Sequence, residues 1–594
     1  MKRILFFLMA ATYSVVLQAA KAHPQPFTVT QSDGTQLTVT FHGDEDFHYY
    51  TTTDGVILFR DGNGYYVANI DNNGNISATG QLAHNLSVRS AQEKTLAESQ
   101  SKGLFFAAAS RKSDVAKSAR LKSAKAAPSL FPHEGTPKVL VVLAEFSDVK
   151  FQIENPEKAF NQYLNAQTGE IENLGNGNRR NYGSVAQYFD DMSFGKFRPQ
   201  FDVYGPITLD KPLAYYGEGK DDRMDLLLPD VCKKVDADVD FTQYAHDGYV
   251  DLIYVIYAGY SASWGGNTEE CIWPKSGTKP GVGQYDGVTV YRYGVSNELN
   301  YTPTYEYNGE KANIINGIGL FCHEFSHCMG MPDLYVTVND ATIAHANNQE
   351  MEYWSIMDAG TYLANGYRPS AYTAWEREFF DWYNIETLDK PAFVELKPID
   401  EEGGKAYRIK NDNDAIGNEY YVVENIQNTN WNGSQFGHGM LAIHVDYDAN
   451  AFSLSSNSVN NRQGQPRMTV LAADGTLLNE ANATSGSQFK EEAAGDPFPG
   501  KAEVTELTDD TDVKPIIYTG DKLGKPIYDI QESEDGVITF KYLDPTITGI
   551  KDAIVETEQK TNKIYTLDGR FVGTTTDGLN KGIYIIGNKK VVIK

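Results

Sequence analysis

Between residues 27 and 88 apolar and polar positions alternate with a period of two. The runs are Phe27-Thr-Val-Thr, Leu37-Thr-Val-Thr-Phe41, Val56-Ile-Leu-Phe59 and Tyr65-Tyr-Val-Ala68, separated by Asp33-Gly, Asp54-Gly, Asp61-Gly and Asn73-Gly. Alternation sends successive side chains to opposite faces of a strand, and the Gly pairs supply turns, so this stretch predicts a small β domain. Further on the pattern changes. Lys138-Val-Leu-Val-Val-Leu-Ala144 is apolar without alternation, as a strand covered on both faces requires. Ser184 to Gly195 reads as a helix with a Ser cap and a Gly stop, and Asp225 to Val235 as a helix interrupted near Pro229. Phe201–Tyr204 and Asp251–Tyr257 read as strands, Val288–Tyr293 as an edge strand above a cleft, and Ala371–Tyr383 as a closing helix. Strand and helix therefore alternate through a mixed α/β region. From 390 to 543 short alternating runs return, such as Tyr420-Tyr-Val-Val-Glu424 and Met440-Leu-Ala-Ile-His-Val445, which predicts a β-sandwich. The last runs, Ile564–Val572 and Gly582–Lys594, predict a small β module.

One apolar stretch carries chemistry. No charged residue lies between Lys311 and His323, and then follows His323-Glu-Phe-Ser-His327-Cys-Met-Gly330-Met-Pro-Asp333. On a helix His323 and His327 stack one turn apart on one face, where two imidazoles can share a tetrahedral metal ion. Glu324 can reach a water on that ion as a general base. Gly330 can take the left-handed conformation that ends a helix sharply, and the turned chain can return Asp333 as a third ligand. The fourth position then stays open for water, as in a catalytic zinc site. The blander reading is an amphipathic helix with two half-exposed histidines. It is disfavoured by the apolar flanks Phe321, Phe325 and Met329, among which an unpartnered Glu would be costly. A further alternative takes Glu350 or Glu352 as the third ligand, which Gly330 and Asp333 argue against.

Composition narrows the setting. A chain of 594 residues has room for several domains, and a formal net charge of −27 argues against nucleic acid as a partner. Lys2-Arg3, an apolar run from Ile4 to Leu17 and Ala20-Lys-Ala22 before His23 read as a signal peptide, so a secreted or cell-surface location is expected. No other stretch approaches a transmembrane span. Lys102, Arg111, Lys112, Lys117, Arg120, Lys122 and Lys125 cluster in an otherwise acidic chain and suggest an exposed linker open to trypsin-like cleavage, which would release a propeptide. The four cysteines, Cys232, Cys271, Cys322 and Cys328, leave connectivity open, Cys322 and Cys328 reading as packing residues or as partners of the other two. Asp509-Asp-Thr-Asp512 is a candidate calcium loop, and His438 and His444 read as structural.

The helix motif, followed by Trp354-Ser-Ile-Met357-Asp, resembles the M6 metallopeptidases, the immune-inhibitor-A type among the metzincins. Ser184-Val to Ser193-Phe-Gly195, Asp247–Asp251, Ile272-Trp-Pro274 and Glu419–Asn425 extend the likeness. It implies a zinc-dependent endopeptidase acting on proteins or peptides and made as a zymogen, with His323, His327 and Asp333 as ligands, Glu324 as base and Met357 as a hydrophobic floor. Cysteines beside the histidines, and Ala359 where some metzincins place a Tyr ligand, depart from that pattern. Phe41-His-Gly-Asp44 resembles the latency motif of astacin-type metzincins, although Gly43-Asp44 reads more simply as a hairpin turn. The tail resembles the C-terminal modules of type IX secretion, which makes that machinery a candidate partner. The expected fold is α+β and multidomain: signal peptide 1–22, propeptide β domain 23–100, basic cleavable linker 101–130, metzincin-like protease domain with a mixed sheet and active-site helix 131–388, β-sandwich 389–545 and sorting-like module 546–594. The competing reading is a surface adhesin or glycan-binding protein with a vestigial protease domain.

Overall fold

In the computed structural model, residues 17–108, 130–167, 180–217, 223–337, 350–476, 486–548 and 563–593 are described, apart from single positions and pairs inside these spans. The apolar part of the expected signal peptide up to residue 16, and most of the basic linker, lie outside the described residues. The first described element is a short strand, β1 (Leu17–Ala19), which belongs to the central sheet. The alternating runs then form an antiparallel meander of six strands: β2 (Phe27–Thr30), β3 (Gln36–Gly43), β4 (His48–Thr52), β5 (Ile57–Asp61), β6 (Gly64–Ile70) and β7 (Ile76–Leu82). Helix α1 (Ala91–Glu98) follows. Residues 102–108 are also helical, and Phe105 and Phe106 pack on Phe47 and Tyr49, so this unit runs past the expected boundary at 100.

The central sheet is mixed. β8 (Lys138–Glu145), β9 (Gln200–Thr208), β12 (Ile253–Tyr257) and β14 (Val288–Asn297) run parallel in the order β14-β12-β8-β9, with the short strand β11 (Tyr249–Val250) against β14 and β10 (Ala245–His246) against β11. Helices α2 (Pro156–Asn165), α3 (Val185–Met192) and α5 (Ile318–Met329) share a core with one face, and α4 (Met224–Val235) covers the other. This two-sided cover explains why β8 and β12 are apolar without alternation. Ser184 caps α3 by accepting the Gln187 N–H, as the sequence suggests. Pro229 lies inside α4 without breaking it.

Two expectations are corrected here. β14 is not the edge: β13 (Lys275–Tyr285) pairs antiparallel outside it and carries β1 in turn. The sequence hid this edge because Lys275-Ser-Gly-Thr-Lys-Pro-Gly281 lacks apolar alternation, and Lys, Gly and Pro are residues an edge strand tolerates. The closing helix is also shorter than 371–383. It is α6 (Ala374–Phe379), set by a capping box between Thr373 and Glu376, and Asp381 at φ 59° turns the chain away.

β15 (Glu306–Tyr307) and β16 (Glu310–Lys311) form a small hairpin before α5. After the central sheet come two further sheets that share one core. The first comprises β17 (Glu386–Thr387), β19 (Ala406–Lys410), β20 (Glu419–Ile426), β21 (Gly439–Asp446) and β22 (Met468–Val470), and the second β18 (Ala392–Leu396), β23 (Ile527–Glu532) and β24 (Ile538–Tyr542). β20 is buried at every position. Tyr421 and Val423 face the second sheet, while Val422 joins the core that surrounds α5. Four further strands form the tail: β25 (Ile564–Thr566), β26 (Phe571–Gly573), β27 (Gly582–Ile586) and β28 (Lys589–Ile593). Among the described residues no helix is long and apolar enough to cross a membrane.

Candidate metal centre and the segment across it

Every residue of α5 is buried, as a helix apolar all round requires. Phe321 stacks on Tyr254 with ring centroids 3.9 Å apart, and Phe325 packs against Phe131, Phe189 and Phe201. Close approach also matters at the helix start, where a Cβ on Gly319 would lie 2.0 Å from the Thr361 carbonyl oxygen. Gly330 ends the helix at φ 118° and donates its N–H back to His327 and Ser326. The chain then turns, and Asp333 returns beneath the two histidines.

The three side chains converge. His323 Nε2 and His327 Nε2 are 3.1 Å apart, and Asp333 Oδ1 lies 3.3 and 3.2 Å from them. Ligand atoms about 2.0–2.1 Å from a tetrahedral zinc stand about 3.3 Å from one another, so the triangle has the size such an ion needs. Protonation points the same way. His323 Nδ1 faces the Ile356 carbonyl at 2.8 Å and His327 Nδ1 the Met331 carbonyl at 2.6 Å. Carbonyls only accept, so both Nδ1 atoms carry the protons and both Nε2 atoms present lone pairs. Asp333 Oδ1 has no hydrogen-bond partner among the described residues. Three buried acceptors facing one another are a donor set for a cation. This is the one group of three or more His, Cys, Asp or Glu among the described residues able to hold a metal.

The floor and walls come from distant segments. The Ile356 carbonyl that orients His323 belongs to the turn carrying Met357, which is fully buried, and the Met357 carbonyl accepts the Leu334 N–H at 3.0 Å. Asn457 clamps Asp333 from the far side. Its Nδ2 donates to Asp333 Oδ2 at 2.7 Å and its Oδ1 accepts the Asp333 N–H at 2.8 Å. Nothing in the local sequence pairs Asn457 with a residue 124 positions away. Cys322 and Cys328 are packing residues: both thiols are buried and free, and burial pushes Cys328 up to about 12. Cys232 is likewise a buried free thiol.

A strand of the chain itself lies across this centre. β1 pairs antiparallel with β13, Leu17 opposite Gly277 and Ala19 opposite Lys275. The Ala20 N–H donates to Glu324 Oε1 at 2.8 Å, and the Ala20 carbonyl accepts from Trp273 Nε1 at 2.8 Å. The Lys21 carbonyl accepts from Tyr362 at 2.6 Å, and the Ala22 N–H donates to Gly43. The Lys21 ammonium reaches Asp358 Oδ1 at 3.3 Å and Glu350 Oε2 at 3.6 Å. The end of the expected signal peptide, with its Ala20-Lys-Ala22 site, is therefore packed into the catalytic region. Burial is the main force on Glu324 and pushes its carboxyl up to about 8.

The remaining candidates fall elsewhere. Glu350 and Glu352 are not in the ligand triangle, and Glu350 faces Lys21 instead. Asp44 uses its carboxylate to accept the Phe47 N–H at 3.0 Å within the turn. His444 pairs with Glu419 and His438 with Glu532. Asp509 accepts N–H groups of Leu523 and Gly524, and Asp510 pairs with Lys522, so this loop forms no ligand cluster among the described residues.

Residues 219–384 match the family model for the immune inhibitor A peptidase M6 catalytic domain. Two curated relatives each align with part of the chain. The pre-pro-metalloprotease PrtV of Vibrio cholerae serotype O1 is 22% identical over 309 residues, 44% of this chain and 33% of the relative. Immune inhibitor A of Bacillus thuringiensis subsp. alesti is 24% identical over 296 residues, 42% of this chain and 41% of the relative. The matched stretch thus spans between about a third and about two-fifths of the length of these relatives.

Proposed function

We infer, from a chain that carries a peptidase M6 catalytic domain, that this protein is a secreted zinc-dependent endopeptidase made as a zymogen. The observation that carries the reading is the peptide nitrogen of Ala20, held 2.8 Å from Glu324 beside three converging ligand atoms. A zinc ion held by His323, His327 and Asp333 would acidify a water molecule and polarise the scissile carbonyl. Glu324 then has two tasks. It takes the proton of the attacking water, and it gives that proton to the leaving nitrogen. The second task needs its carboxylate at the nitrogen of a peptide bond, which is where the Ala20 N–H lies. β13 offers an extended substrate the same antiparallel pairing that it gives β1.

The β2–β7 unit and the basic linker after it support the zymogen part of the reading. A peptide cannot enter while Leu17 to Ala22 fill the groove, and cleavage before His23 would remove this strand together with the signal peptide. The β2–β7 unit stays attached until the basic linker is cut. The tail is read as an export module for a type IX-like machinery, which would place the enzyme outside the cell.

The test is Glu324→Gln. The variant should bind zinc with the stoichiometry of the wild type and lose two to four decades of casein hydrolysis, the range a positioned acid–base group contributes. Retention of more than a few per cent of activity sinks the mechanism. N-terminal sequencing of the secreted protein checks processing, and a chain beginning ahead of Ala20 would mean that the groove remains filled after export.

A further inference from the structure

The segment in the groove also reveals what lies beyond the reacting bond. Glu324 meets the Ala20 nitrogen, so the Ala19–Ala20 peptide lies where a scissile bond would lie, with Ala20 as the first residue on the leaving-amine side and Lys21 as the second. The Ala20 side chain is fully buried among Leu320, Tyr353, Tyr362 and Leu363. The side chain of Lys21 leaves this apolar pocket and enters an acidic one. Asp358 and Glu350, whose side chains are 0% and 7% exposed, receive its ammonium, and the Lys21 side chain as a whole is 22% exposed.

The acidic pocket is built rather than accidental. Asp358 follows Met357 directly, and it is held by the N–H groups of Ala359 at 2.8 Å and Glu352 at 2.7 Å. Glu352 adopts a left-handed backbone at φ 49° that turns its N–H toward Asp358. Two buried carboxylates repel one another and are costly to desolvate, so a pocket that keeps both favours a cation between them. A Lys or Arg side chain arriving from a peptide in the groove supplies that cation while its apolar stem lies along the wall.

We propose that Glu350 and Asp358 form a specificity subsite for Lys or Arg at the second residue after the cleaved bond, beside an apolar pocket for the first. The inference rests on the peptidase reading and goes further by naming the substrate class: peptides with a small apolar residue followed by a basic one. Lys21 is the chain's own occupant of that subsite.

Three fluorogenic peptides with Leu-Gln-Ala-Ala-Xaa-Ala at the cleavage point, Xaa being Lys, Gln or Glu, test this on the secreted protein. kcat/KM should favour Lys over Gln by about tenfold, as a charge pair with two buried partners allows, with Glu poorest. Glu350→Gln and Asp358→Asn should each bring the Lys-to-Gln ratio down toward two, and Glu350→Lys should reverse the order of Lys and Glu. Equal cleavage of all three peptides by the wild type overturns the subsite alone, whether or not the variants fold. So does a ratio that persists in Glu350→Gln. If no peptide is cleaved by the zinc-loaded protein, the peptidase reading falls and the subsite with it.

Discussion

Two buried polar groups stand side by side under residues 19–21, and they are built by opposite means. The candidate metal centre draws His323, His327 and Asp333 from one helix and the turn after it, with facing atoms 3.1–3.3 Å apart. The acidic pocket draws Asp358 from the Met357 turn, Glu350 from the chain ahead of it and Lys21 from the far N-terminus. The first is an array of acceptors that a bound cation would stabilise. The second already holds its counter-charge, supplied by the chain itself. Neighbouring carboxylates of similar burial therefore have different partners, and the difference lies in what faces each oxygen rather than in residue type.

Removing one carboxylate from each group tests the division most sharply. Asp333→Ala should lose the metal, measured as zinc per protein after dialysis, because two histidines alone leave the ion half-bound. Glu350→Ala should retain wild-type zinc. The reverse result would move the third ligand to Glu350 and undo the assignment. A smaller effect is expected at Asn457, which holds Asp333 through two hydrogen bonds. Asn457→Ala should weaken zinc affinity by about 10–100-fold, the range for a partner that orients a ligand. An unchanged affinity would mean that the turn after Gly330 places Asp333 without help.

The same contrast explains what could be read from the amino-acid order. His323, His327, Gly330 and Asp333 are legible because helical periodicity and one left-handed glycine bring them together within eleven positions. Strands β8 and β12 are legible because burial on both faces leaves an unbroken apolar run. The edge strand β13 is not, since Lys275 to Gly281 satisfies an edge by the very residues that erase a strand pattern. Asn457, Glu350 and Lys21 carry no local signal, because each meets its partner only through tertiary folding. Ala20-Lys-Ala22 has two readings at once, a signal-cleavage site by residue type and a groove-filling strand by geometry. Residue types alone do not choose between them.

Glu419 extends the comparison to a carboxylate with no part in the groove. Burial opposes its charge, yet His444, the Tyr518 N–H and Asn411 outweigh that and bring its carboxyl down to about 2 from an ordinary 4.5. A depressed carboxyl stabilises the folded state above its unfolded value and loses that contribution as pH falls through the folded one. Stability supplied by Glu419 should therefore be complete above about pH 5 and fade between 4.5 and 2. In thermal melts Glu419→Gln should be less stable than the wild type at pH 7, and the gap should narrow as the pH is lowered toward 2.5. The effect should be the smallest of the set, and zinc content at pH 7 should not change. A gap that stays constant with pH would mean that the loss came from packing in β20. A loss of zinc would mean that the C-terminal sheets hold the Asn457 loop, and through it Asp333, more tightly than the separation of the two regions implies.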